Sequence, residues 1–135
     1  ITPYIKNNSI LPETFPSAVI RVITKKNKWN QFIIDFYYFE IPLESNKVVN
    51  ISPQGKYLPF FEFTYKEKIF IKEYFRKLNK LKSLKVCLYE SKICHQRIGS
   101  IDIVAWDWII NDKGPILLEG NHSFGLTDIY YLKNI

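Results

Sequence analysis

The chain has 135 residues, a formal net charge of +6, and 47% hydrophobic and 16% aromatic residues. That length suits a single domain, the apolar fraction is enough for a core and excludes general disorder, and no apolar run is long enough to cross a bilayer. The basic balance favours anionic partners such as nucleotides, nucleic acid, acidic lipids or sugars without choosing among them.

In chain order, residues 1–16 read as a connecting segment, with turn formers and prolines in "NNSILPETFPS". "SAVIRVIT" (17–24) is apolar and β-branched, a central strand, and "KKNKWN" is a polar turn. "QFIIDFYYFEI" (31–41) forms a hairpin with the first strand and ends at Pro42. "KVVNI" (47–51) is a short third strand, and "SPQGKYLPF" (52–60) is a loop punctuated by Pro and Gly. From Lys66 the period becomes helical, with Ile69, Phe70, Phe75 and Leu78 as the apolar face. The lysines are scattered apart from "KEKIFIKEYFRKLNKLKSLK" (66–85), which reads as a solvated helix surface. A second helix runs from about Leu81 to His95, with Leu84 and Leu88 facing inward, Cys87 a further candidate, and Gly99 ending the block. "SIDIVAWDWII" (100–110) and "PILLEGN" (115–121) are strands joined at "NDKG", and the tail "LTDIYYLKNI" (126–135) could start another helix. The order predicts an α+β domain over residues 1–135, mostly antiparallel, with two helices packed on one face.

Cys87 and Cys94 fall on one helix face about 10 Å apart along the axis, too far for a disulfide. They read as reduced core residues in a reducing, cytoplasmic compartment. Two histidines and no CxxC give no support to a zinc site.

The segment "WDWIINDKGPILLEGN" (106–121) carries the most chemistry. A three-residue loop, Asp112-Lys113-Gly114, would oppose Asn111 to Pro115, Ile109 to Leu117 and Asp107 to Glu119. Asn121, two residues beyond Glu119, shares that face. Directly opposed carboxylates repel each other, and a cation would remove the conflict. Mg²⁺ suits such oxygen donors, which commonly hold it together with substrate phosphates. The plain alternative is a hairpin edge facing water.

These residues resemble the closing motif of the ATP-grasp superfamily, and most nearly its sugar-transfer-associated branch. The Trp-Asp strand, acidic-Gly-Pro turn and Glu-Gly-Asn of residues 106–121 carry the likeness, which continues more weakly through "FPSAVIRVIT" and "VVNISPQGKYLPF". The resemblance implies the C-terminal part of an ATP-grasp fold, with Asp107, Glu119 and Asn121 as ligands of the Mg²⁺ ions of MgATP. It implies Arg21 as the catalytic cation near the transferred phosphoryl group, against the alternative of an Arg stacked on a sheet face. Leu118 takes the place of an apolar residue lining the adenine pocket, although simple core is the favoured reading of it. His122 in "HSFGL" reads as a surface residue rather than a base.

The implied activity is a ligase that turns a small-molecule or sugar-linked carboxylate into an acyl phosphate for attack by an amine or other nucleophile. A link to cell-surface polysaccharide modification is what the branch name implies. The family's second-strand Arg is not evident where "FYYFEIP" stands, and its usual Asn-Thr before the strand Arg is replaced by Ala18 to Ile20. The lysine-bearing, nucleotide-gripping N-terminal portion is also absent from these residues. The chain, which has no Met, therefore reads as an excerpt that is not competent alone. The alternatives are a degenerate ATP-grasp module that binds without catalysis, and a basic β-rich nucleic-acid-binding domain using Trp29, Tyr37 and Tyr38.

Overall fold

The computed structural model describes residues 18–43, 47–58, 63–111, 114–122 and 133. Strands β1 (Val19–Lys26), β2 (Phe32–Pro42), β3 (Val48–Ile51) and β4 (Tyr57–Leu58) come first, then helices α1 (Tyr65–Asn79) and α2 (Lys82–Ile98), then strands β5 (Ile103–Asn111) and β6 (Gly114–Asn121). They form one six-stranded sheet, ordered β4-β3-β2-β1-β5-β6, with every neighbouring pair antiparallel. The α+β class, the antiparallel sheet and the two helices agree with the sequence pattern. The predicted loop 52–60 was too long: its residues Tyr57 and Leu58 pair with Ile51 and Asn50 as a two-residue strand. The predicted helical tail lies outside the described residues except for Lys133, and the segment 1–16 lies wholly outside them.

Alternation along β1 divides the sheet into two faces. Ile20 and Val22 join Phe39, Ile41, Val49, Trp106, Trp108 and the helix residues Ile71, Tyr74, Leu78, Leu84 and Cys87 in one core. Ile23, Phe36, Tyr38 and Ala105 form a smaller cluster on the opposite face. Each helix has local reasons for its ends. Thr64 caps α1, its Oγ1 accepting from the Glu67 N–H at 3.1 Å while the Glu67 carboxylate accepts from the Thr64 N–H at 2.9 Å. Arg76 and Lys77 sit in the last turn of α1, where cations favour the dipole. Gly99, at φ 73°, ends α2. The inward stripe of α1 is Ile71, Tyr74 and Leu78, so Ile69, expected on it, is instead exposed.

Two indoles on β5 fasten α2 to the sheet, Trp108 directly and Trp106 through Thr24 of β1. The Trp108 Nε1–H donates to Ser91 Oγ at 2.8 Å, and that hydroxyl donates to the Cys87 carbonyl at 2.6 Å. The Trp106 Nε1–H donates to Thr24 Oγ1 at 2.8 Å. The Thr24 hydroxyl also lies 2.8 Å from His95 Nδ1, and His95 Nε2 lies 2.6 Å from the Ile101 carbonyl. A carbonyl only accepts, so Nε2 donates to it, and in the neutral ring Nδ1 then accepts from the Thr24 hydroxyl. His95 is fully buried and meets the Phe32 ring edge-on at 4.8 Å. Every polar atom of this chain of contacts is thereby satisfied inside the core. Both cysteines are free, and burial pushes the Cys87 thiol up to about 12, which makes it an inert packing group.

Candidate functional site

The residue between the indoles, Asp107, points the other way. Asp107 pairs across β5–β1 with Arg21, across β5–β6 with Glu119, and Arg21 pairs across β1–β2 with Tyr38. Tyr38, Arg21, Asp107 and Glu119 thus form one row over four strands, about 14 Å long at ordinary strand spacing, on the face away from the helices. Asn121 opposes Ala105, two residues along from Asp107, and so lies on the same face. The sequence-predicted metal set and Arg21 therefore share one surface.

The register reaches this result by a different path from the one expected. Asn111 pairs with Gly114, Ile109 with Ile116 and Trp108 with Leu117, so the connection is one residue shorter than the three-residue loop supposed. A bulge after Asp107 then inserts Leu118, which restores the Asp107–Glu119 pairing. Leu118 is 50% exposed, so the favoured reading of it as core is wrong.

Gly120 has a packing reason. A Cβ there would lie 2.5 Å from the Trp106 ring, and that indole is held at its other end by Thr24. Gly120→Ala is expected to cost about 2 kcal/mol by forcing the ring and strand apart, read as a lowered urea midpoint with an unchanged slope.

Arg21 grips Asp107 with two bonds, Nε to Oδ1 at 2.8 Å and Nη2 to Oδ2 at 3.0 Å. The side chains are 20% and 13% exposed, so the pair is partly screened from water. The hydrogen bonds to Asp107 raise the Arg21 pKa further above its ordinary value. This pairing corrects one step of the sequence argument: the guanidinium already neutralises Asp107, so repulsion between Asp107 and Glu119 does not by itself require a metal. Among the described residues no group of three or more His, Cys, Asp or Glu could hold a metal ion. The donor set that remains is two carboxylates, of which Glu119 is exposed, and the Asn121 amide. These are hard oxygen donors of the kind Mg²⁺ accepts.

Two residues join the site that sequence reasoning had not assigned to it. Tyr38 is buried beside Arg21, and its hydroxyl is pushed up to about 12 by that burial. Glu40 opposes Val19 and lies two residues from Tyr38 on the same face. Burial raises the Glu40 pKa, Arg21 lowers it, and the charge of Asp107 raises it, with a net rise. Asn50 opposes Glu40, and its Oδ1 is buried without a hydrogen-bond partner among the described residues. The alternation of Phe36, Tyr38 and Glu40 in "FYYFE" would have found Tyr38 and Glu40, given the hairpin register.

A carboxylate whose folded pKa is raised favours folding while protonated and disfavours it once ionised. Stability from this group is therefore present below the unfolded value and lost as pH rises through the folded one. Glu40→Gln is expected to stabilise the protein near pH 7 and to lose that advantage below about pH 4, measured by denaturation at both pH values.

The aromatics of the nucleic-acid alternative do not form one platform. Trp29 is exposed under Lys28, Tyr37 is half-buried against the core, and Tyr38 is buried. Depressions along α1 and beside Asn30 include no residue of the row. His122 is exposed, as expected of a surface residue. No family model, no curated protein and no solved structure matches the chain.

Proposed function

We propose that this chain is the metal-side part of an ATP-grasp-type nucleotide site in a carboxylate ligase. The observation that supports the reading is the row itself: an antiparallel sheet keeps its helices on one side and presents Arg21, Asp107, Glu119 and Asn121 together on the other. In this reading Glu119, Asn121 and one oxygen of Asp107 hold Mg²⁺, which when bound shields and orients the ATP phosphates. Arg21 remains hydrogen-bonded to Asp107 and directs its remaining donors at the phosphoryl group being transferred. Tyr38 packs beside the guanidinium and limits its rotamers, so the cation is positioned before the nucleotide arrives. The acceptor is a carboxylate, and the acyl phosphate formed on it is then attacked by an amine or another nucleophile.

The test uses the protein as its gene encodes it, with Mn²⁺ in place of Mg²⁺. Mn²⁺ binding followed by electron paramagnetic resonance in the presence of ATP is expected to weaken about tenfold or more in Asp107→Asn. Equal Mn²⁺ affinity in parent and variant would overturn the metal assignment. A second reading, binding without turnover, is favoured by the engagement of both Asp107 oxygens with Arg21. MgATP binding with no ADP release across a panel of carboxylates would select it.

A further inference from the structure

Residues 66–97, which span most of both helices, hold ten of the nineteen Lys and Arg but three of the thirteen Asp and Glu. The remaining nine cations and ten acids nearly cancel, so the net positive charge of the chain resides in the helical layer. That layer packs on the face opposite the Arg21–Asp107 row. Its outer surface is also apolar in places: Tyr65, Ile69, Val86 and Tyr89 are exposed, at 80%, 49%, 46% and 61%. The two properties coincide on α1. An open depression of about 600 Å³ has Ile69 and Phe75 for apolar walls and Lys72, Arg76 and Lys80 around it, with one acid, Glu73, which pairs with Lys77. A second, of about 350 Å³, adjoins it through Phe75 and Lys72, with Phe63, Ile71 and Ile51 as walls and Lys68 at its edge.

We propose that the outer face of α1 binds an anionic phospholipid bilayer, with phosphate headgroups on Lys68, Lys72, Arg76 and Lys80 and acyl chain against Ile69 and Phe75. The charge complements acidic headgroups, and each cation adds attraction that decays within a Debye length. The apolar walls decide between lipid and nucleic acid. Exposed aliphatic side chains such as Ile69 and Val86 gain from the headgroup–acyl boundary and gain little from a phosphodiester backbone. The cations are mostly Lys, whose long stems let the ammonium reach the interface while the methylenes cover apolar surface, whereas base-edge recognition favours Arg.

The experiment is co-sedimentation of the protein with vesicles of phosphatidylcholine alone and of phosphatidylcholine with a quarter phosphatidylglycerol, at low and at high salt. Binding is expected to the anionic vesicles only, falling at least tenfold at high salt. Neutralising Lys72, Arg76 and Lys80 together to Gln is expected to reduce it at least tenfold. Ile69→Asn, which leaves the charge unchanged, is expected to reduce vesicle binding several-fold and to leave any binding of single-stranded DNA unaltered. All these positions are exposed, so the variants are expected to remain folded, which circular dichroism checks. Absence of vesicle binding, equal binding to neutral vesicles, or salt-sensitive DNA binding without vesicle binding would each overturn the proposal, the last in favour of nucleic acid.

Discussion

Glu119→Gln in the intact protein is expected to lower carboxylate-dependent ADP release by about 100-fold or more. Its melting temperature should stay within about 2 °C of the parent, because substitutions at exposed positions away from special contacts change stability little. The asymmetry follows from where Glu119 sits. It is exposed at the end of the row, on edge strand β6, while Asp107 beside it is buried and bonded to Arg21. In the proposed site Glu119 is the carboxylate not already held by Arg21, and an amide in its place keeps the shape but loses the charge that a divalent ion would need. A coupled ADP assay beside a thermal melt separates the two effects. Unchanged turnover with unchanged stability would remove Glu119 from the site and leave its position as an ordinary edge of the sheet.

Thr24→Val is expected to be the most destabilising conservative substitution on the helix side, costing about 3 kcal/mol and lowering the melting temperature by about 10 °C. Valine matches threonine in shape, so the packing is retained and only the hydroxyl is lost. That hydroxyl accepts from Trp106 and donates to His95, and both partners are buried. Removing it strands one donor and one acceptor where water cannot replace it, at about 1–3 kcal/mol for each group. Thr24→Ser keeps the hydroxyl and is expected to recover most of the loss, which distinguishes the hydrogen bonds from the methyl group. A Val variant as stable as the parent would mean that Trp106 and His95 find other partners.

The sheet and helices were legible because apolar periodicity changes sharply at residue 65 and returns to strand alternation after Gly99. The Asp107–Glu119 pairing was legible because the sequence places both carboxylates about equally far from the "NDKG" connection. The shorter connection and the Leu118 bulge, which offset each other, were not, since a bulge depends on cross-strand twist and packing rather than on residue type. The Arg21–Asp107 bond escaped for a related reason: it needs the β1–β5 pairing, between strands separated by both helices. Ile69 was misplaced because a helix with isoleucine at both 69 and 71 offers two apolar stripes, and only contact with the sheet chooses between them. The roles of Thr24 and His95 left no local signal, because their contacts join β1, the end of α2 and the segment before β5.

The Trp-Asp-Trp alternation on β5 has an evolutionary corollary. Its two indoles are committed to anchoring a helix, whereas the aspartate between them answers only to what lies on the far surface. A descendant could therefore exchange Glu119, exposed on the edge strand, while inheriting an undisturbed interior. Divergence in such a lineage should accumulate on one surface of the sheet and spare the other.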